Sequence, residues 1–175
     1  MFKIIFLILL CIIFIISILV IRQPNTFRYA RTQTINASPA KIFEQVNDMH
    51  KFNEWSPWAK LDPNAEVTYE GPQEGIGASF SWKGNREVGE GKATIIESVP
   101  HQLIKYRMDF LKPMKATHTA EFTFTPDGTQ TIVSWSMYGE NGIMGRIILI
   151  FMNCEKMVGD MFSKGLLNLK AKVEA

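Results

Sequence analysis

Six segments in which apolar and polar residues alternate follow one another between Glu66 and about residue 138. A period of two is typical of β-strands with one buried face. The breaks between the segments are short and contain glycine, proline or asparagine, which favour turns. Because short connections join antiparallel neighbours, we predict an antiparallel meander rather than β-α-β units. The predicted strands cover residues 66–70, 77–82, 87–97, 102–110, 115–125 and 130–138.

Another strand and two helical patterns flank this meander. Residues 27–35 are typical of a strand, and Ser38-Pro39 then marks a helix start, since serine caps the first turn and proline suits the first helical position. After Gly142, apolar residues recur at spacings of three and four, which predicts one long helix over residues 143–173. Residues 147–152 are apolar all round, so we expect them to be deeply buried or to touch a membrane. The element order indicates an α+β fold, with a curved seven-stranded antiparallel sheet around the C-terminal helix.

An uncharged apolar run extends from Ile4 to Ile21. As a helix it would be about 27 Å long, close to the thickness of a hydrocarbon core. A secretory signal peptide is the alternative, but its apolar region is usually shorter and a small-residue cleavage site follows it. We predict a single-pass transmembrane anchor at residues 1–22, a linker at 23–26 and one domain at 27–175. The flanking basic residues slightly favour a cytoplasmic domain.

Charge and cysteine content exclude several classes of function. The chain has 19 Lys+Arg and 17 Asp+Glu, and two of the basic residues, Lys3 and Arg22, flank the apolar run. The rest of the chain is therefore balanced and has no basic cluster, so we expect no nucleic-acid partner. Two cysteines and three scattered histidines do not predict a disulfide framework or a metal site. We expect no cofactor.

The strand alternation predicts a large, aromatic and almost uncharged interior, which fits either a filled core or an apolar pocket. We expect the sheet and the C-terminal helix to line such a pocket with Trp82, Tyr106, Met108, His118, Phe122, Trp135, Phe151, Val158 and Phe162. His118 and Tyr106 form the best inward polar pair, although a lone histidine on an apolar face is more often a hydrogen-bonded core residue. Glu87 and Glu97 are expected on the same face as Gly91. These residues do not form a convincing catalytic set.

Two tryptophans lie three residues apart in the proline-rich stretch Trp55-Ser56-Pro57-Trp58. The stretch follows the first helices, where the chain must turn before the second strand. Two interpretations are open, because the indoles could contact a ligand or pack under the sheet. We favour a structural plug that closes one end of the cavity.

Several short motifs resemble the START/polyketide-cyclase-like (SRPBCC) superfamily, and within it the bacterial polyketide cyclase/dehydrase-like branch. They are Ile35-Asn36-Ala37-Ser38-Pro39, Trp55-Ser56-Pro57-Trp58 with Asp62-Pro63, Tyr69-Glu70-Gly71 with Gly75-Ile76-Gly77-Ala78, Ser81-Trp82 with Gly89-x-Gly91, and Gly165-Leu166-x2-Leu169-Lys170. The resemblance covers about residues 27–173. It implies the helix-grip fold, also called START- or Bet v 1-like, with an elongated hydrophobic cavity.

The same resemblance implies binding of lipids, sterols, polyketides or other apolar molecules. We therefore expect a membrane-anchored protein that binds an apolar small molecule or lipid and does not catalyse a reaction. Two alternatives remain open. One is an enzyme of the cyclase or dehydratase type that uses His118 and Tyr106, and the other is a stress-related module that binds other proteins.

Overall fold

The computed structural model describes residues 2–175, so Met1 of the predicted anchor lies outside the described residues. The elements in chain order are α1 (Phe2–Arg22), β1 (Thr26–Ile35), α2 (Pro39–Asn47), α3 (Met49–Trp55), β2 (Glu66–Glu70), β3 (Ser79–Lys83), β4 (Glu90–Val99), β5 (Leu103–Lys112), β6 (Ala116–Asp127), β7 (Gln130–Glu140), α4 (Ile143–Phe151) and α5 (Cys154–Glu174).

The seven strands form one antiparallel sheet in the order β1-β7-β6-β5-β4-β3-β2. Six consecutive strands therefore form the predicted meander, and β1 returns to pair with β7. The C-terminal helix α5 packs against the sheet and buries Phe162, Leu166 and Leu169. The predicted helix-grip architecture is confirmed.

Two short capped helices, α2 and α3, pack beside α5. The Ser38 side chain accepts a hydrogen bond from the backbone N–H of Lys41, and Pro39 occupies the first turn of α2. Asp48 caps α3 by accepting from the backbone N–H groups of His50 and Lys51 at 2.8 and 3.2 Å. The caps fix where the helices begin, so that their apolar residues contribute to the core.

The predicted single helix over residues 143–173 is wrong, because the structure divides it into α4 and α5. Met152 has an extended backbone, and Asn153 then caps α5 by accepting from the N–H of Lys156 at 2.9 Å. The three-and-four spacing of apolar residues continues through the break, so periodicity alone did not reveal it. The N-cap signature of asparagine before an acidic first turn could have revealed it.

The first helix, α1, lies outside the core. It is long and apolar enough to cross a membrane, and its described residues are not buried by the rest of the chain. It is followed closely by β1, which begins four residues after Arg22. An apolar N-terminal helix of this kind is consistent with either a membrane anchor or a signal sequence.

Candidate functional site

A cavity of about 430 Å³ lies between the concave face of the sheet and α5. Its walls are mainly aromatic and aliphatic, and its volume falls within the range of small-molecule pockets, about 300–1,000 Å³. Of the nine side chains predicted to line a pocket, the structure places seven around this cavity: Trp82, Tyr106, Met108, Phe122, Trp135, Val158 and Phe162. Their contact with a ligand stays a prediction.

The cavity meets solvent at one end of the sheet. Its charged and exposed lining residues include Glu87 in the β3–β4 loop and Lys112 with Pro113 in the β5–β6 turn. Lys112 is paired with Glu90, where β4 begins, so these segments share one edge of the fold. Glu87 was expected on the fourth strand but lies in a loop before it. The alternation of strand residues carried no information about Lys112 and Pro113, so the sequence did not predict their part in the mouth.

Trp135 supplies a polar group deep in the cavity wall. Its side chain is stacked between Phe122 and Phe162, with ring centroids 4.7 and 4.5 Å away, and it is 3% exposed. Its Nε1 is buried and has no hydrogen-bond partner among residues 2–175. A buried donor without an acceptor costs about 1–3 kcal/mol. The sequence pattern treated Trp135 as purely apolar, so it did not reveal this buried donor without a partner.

Tyr106 uses its hydroxyl within the fold. The hydroxyl donates a hydrogen bond to the backbone carbonyl of Val46 in α2. Complete burial raises the pKa of Tyr106 well above its usual value. The side chain contributes its ring to the cavity wall, while its hydroxyl stabilises the packing of α2 on the sheet.

His118 is not a lining residue of the cavity, which corrects the sequence prediction. Its ring contacts Phe27 edge-on at 4.8 Å and Phe110 at 5.9 Å. Gly139 lies opposite on β7, and a Cβ atom there would be 2.5 Å from Nδ1 of His118. The ring therefore fills the space over a glycine, between β1 and β5. It lies away from the Tyr106 hydroxyl, so the two groups do not converge as a pair.

The environment of His118 favours its neutral form. Nδ1 is buried and has no hydrogen-bond partner within the described part of the chain, so the expected hydrogen-bonded core histidine is not observed for this atom. Burial lowers the pKa of His118, and the backbone of Thr117 opposes this only partly. The residue is an apolar packing element at neutral pH.

Phe151 does not line the cavity, because the helix breaks directly after it. It belongs to α4 rather than α5, and its side chain is 73% exposed. Val158 and Phe162 lie after the break, in α5, which packs against the sheet. The prediction for Phe151 depended on one continuous helix, and it is wrong for that reason.

The two tryptophans of the 55–58 stretch have different environments. Trp55 is 2% exposed in the core, and its Nε1 donates to the carbonyl of Gln45 at 3.0 Å. Trp58 lines the cavity and lies edge-on to Trp135, with centroids 5.5 Å apart. Trp55 therefore supports the wall from behind, while Trp58 forms part of its surface.

Comparison with known families agrees with this architecture. Residues 26–174 match the family described as "Polyketide cyclase / dehydrase and lipid transport". The chain belongs to this family. No curated protein sequence matches it at a significant level.

Solved structures share the fold of this family member at low sequence identity. Protein CV1439 from Chromobacterium violaceum is 16% identical, with a TM-score of 0.60, and the match covers 87% of this chain and 99% of that one. The di-domain ARO/CYC BexL from the BE-7585A biosynthetic pathway is 17% identical, with a TM-score of 0.61 and coverage of 91% and 53%. Ara h 8.0201 is 11% identical, with a TM-score of 0.55 and coverage of 85% and 97%. At these identities the likeness establishes the fold alone.

Proposed function

We propose that the protein is a membrane-anchored, non-catalytic binder of an apolar small molecule or lipid that carries a hydrogen-bond acceptor. The observation that carries this proposal is the 430 Å³ apolar cavity, one of whose lining residues, Trp135, has a buried Nε1 without a hydrogen-bond partner among residues 2–175. Apolar walls provide affinity through burial of the ligand, and one donor fixes its orientation. The family description, which includes lipid transport, supports the same ligand class.

Retention of α1 as an anchor is the second part of the proposal. Asn141 donates from its backbone N–H to the carbonyl of Asn25 at 2.7 Å, and from Nδ2 to the carbonyl of Pro24 at 3.1 Å. These bonds join the segment after α1 to the end of β7, so a retained α1 would leave the domain at a fixed edge of the sheet. The excess of basic residues after α1 favours a cytoplasmic domain. An intact mass of the membrane-bound protein that lacks α1 would contradict this part.

The enzyme alternative has less support. General acid/base catalysis needs a titratable group that faces the substrate. The Tyr106 hydroxyl is bonded to Val46 and His118 lies outside the cavity lining. The charged lining residues lie at the mouth, away from Trp135.

A competition experiment tests the ligand class. A fluorescent polyene fatty acid reports occupancy, and two competitors are compared: a ketone and the hydrocarbon of the same shape. The wild-type protein should bind the ketone more tightly by about 1 kcal/mol, or about fivefold in Kd, because the ketone accepts a hydrogen bond from Trp135. Trp135→Phe keeps an aromatic ring but removes the N–H, so it should erase this preference.

Trp58→Phe is the matched control, since it makes the same change elsewhere in the cavity wall. It should retain the preference for the ketone. A Trp135→Phe protein that still prefers the ketone would remove the proposed donor. If neither competitor displaces the fatty acid and extraction of the purified protein yields no apolar molecule, the binding function itself fails and the protein-interaction alternative gains support.

A further inference from the structure

The helix α4 is an apolar element that the domain leaves uncovered. Its sequence from Ile143 to Phe151 contains one charged residue, Arg146, and the helix has no buried residue. The exposed fractions are 65% for Ile143, 59% for Met144 and 73% for Phe151, and Met152 directly after the helix is 45% exposed. Contiguous exposed apolar surface of this kind marks an interaction site.

The position of α4 indicates what covers it. α4 packs against α1, the helix that can cross a membrane. Residues 23–25 between α1 and β1 can span at most about 10 Å, even when extended. The hydrogen bonds from Asn141 to Pro24 and Asn25 hold this short linker at the start of α4. When α1 crosses a bilayer, α4 must therefore lie at the bilayer surface.

The charge of α4 fits the same partner. No acidic residue occurs from Asn141 to Cys154. The Nε of Arg146 is buried and has no hydrogen-bond acceptor within the described residues. A guanidinium group binds phosphate oxygens with directed hydrogen bonds, and basic side chains beside apolar ones are typical of helices in the headgroup layer.

We propose that α4 lies in the headgroup layer of the bilayer that α1 crosses and there holds the mouth of the cavity against the membrane. Nine helical residues extend about 14 Å, too short to span the hydrocarbon core, so the helix lies along the surface. β7 ends at Glu140 directly before α4, at the sheet end where Lys112 and Glu87 surround the mouth. This proposal rests on the proposed anchor and ligand class, and it adds that the ligand enters from the bilayer.

Site-directed fluorescence on the full chain tests the placement of α4. The native cysteines are replaced by Cys11→Ser and Cys154→Ser, and a bimane label is attached through Phe151→Cys. Ile76→Cys is the matched control, because Ile76 is also apolar and 64% exposed but precedes β3 at the opposite end of the sheet. The protein is reconstituted in vesicles of phosphatidylcholine and phosphatidylglycerol.

Nitroxide-labelled lipids should quench the label at position 151 several-fold more than the label at position 76, and aqueous iodide should show the reverse order. Equal quenching by iodide at both positions would overturn the proposal. Shielding of position 151 from both quenchers, with a dependence on the protein-to-lipid ratio, would also overturn it and would indicate that a second copy of the chain covers α4.

Transfer of a fluorescent lipid from vesicles into the cavity tests the functional consequence. The double variant Ile143→Ser, Phe151→Ser should slow this transfer several-fold. The same variant should bind the polyene fatty acid added from solution as tightly as the wild-type protein, because neither residue lines the cavity. Unchanged transfer overturns the inference about α4 while cavity binding stands. Absence of fatty-acid binding in the wild-type protein is instead the failure of the proposed function.

Discussion

Gly165 in α5 controls how closely the helix approaches the cavity wall. A Cβ atom at this position would lie 2.5 Å from Cζ3 of Trp135 and 3.1 Å from Cδ of Pro57. Carbon atoms pack best at about 3.5–4.0 Å, so alanine requires a shift of about 1 Å. The indole cannot move freely, because it is stacked between Phe122 and Phe162. We therefore expect Gly165→Ala to displace α5 from the sheet.

The magnitude follows from two opposing effects. Alanine stabilises a helix interior by about 1 kcal/mol relative to glycine. Overpacking against rigid neighbours costs about 1–3 kcal/mol. Gly165→Ala should therefore lower the free energy of unfolding by about 1 kcal/mol, and it should weaken ligand binding because Trp135 and Phe162 form the wall.

Gly159→Ala is the matched control within the same helix. A Cβ atom there would lie 2.0 Å from Nη2 of Arg31, the far end of a flexible side chain that can turn away. Turning away disturbs the ion pair of Arg31 with Glu155, which is partly exposed and contributes about 0–1 kcal/mol. The gain in helix propensity is the same at both positions. The control should therefore be about as stable as the wild-type protein.

Urea unfolding of residues 23–175, which contain the whole hydrophobic core, measures the difference between the two variants. Gly165→Ala should unfold at a lower urea concentration than Gly159→Ala, with an unchanged m-value. If Gly165→Ala is at least as stable as Gly159→Ala, then α5 does not press on Trp135, and the described wall of the cavity is refuted.

Two further predictions concern pH. Burial lowers the pKa of His118 below 6.5, so the unfolded chain binds a proton at this residue more readily than the folded chain does. The contribution of His118 to the free energy of unfolding should therefore be constant above about pH 6.5 and decrease below it. In urea unfolding at several pH values, His118→Leu should remove this decrease in the free energy of unfolding below about pH 6.5, whereas the control His101→Asn should keep it. An unchanged pH dependence in His118→Leu would contradict the assignment. Burial raises the pKa of Asp48, but hydrogen bonds from Gln73 and from two backbone N–H groups of α3 outweigh burial and lower it below 3.8. The stability that Asp48 provides at neutral pH should therefore be lost as pH falls through the lowered pKa, and Asp48→Ala should cost about 1–2 kcal/mol at pH 7, whereas a neutral effect would exclude the cap.

The sheet could be predicted from the sequence because each strand has one buried face. Ile104 and Tyr106 on β5 alternate with exposed or half-buried neighbours, and this alternation determines the register. Glu97 is the exception. A β-bulge between Ile95 and Glu97 reverses the alternation, and Glu97 pairs with Lys105 on the outer face instead of lying with Gly91. A bulge inserts one residue without a clear sequence signature, so the pattern could not reveal it.

The interior positions could be predicted, but the functions of their polar atoms could not. Trp135, Tyr106 and His118 all face inward, as the alternation indicates. Their polar atoms differ because of residues distant in sequence: Val46 accepts from Tyr106, Gly139 makes room for His118, and Trp135 has no partner within the described chain. A pattern of faces contains no information about such pairings, since they depend on the distances between elements.

The cavity itself depends on small residues at inward positions. Ala93 and Ala120 are inward-facing lining residues of β4 and β6, where a larger side chain would fill the space between the sheet and α5. Gly91 lets the Trp82 ring lie across β4, since a Cβ atom there would be 2.5 Å from Cζ2 of Trp82. Packed interiors leave few voids larger than a water molecule, so an apolar space of this volume fits the proposed ligand site better than imperfect packing. The sequence contains the relevant signal, which is the presence of small residues where the strand pattern demands large ones.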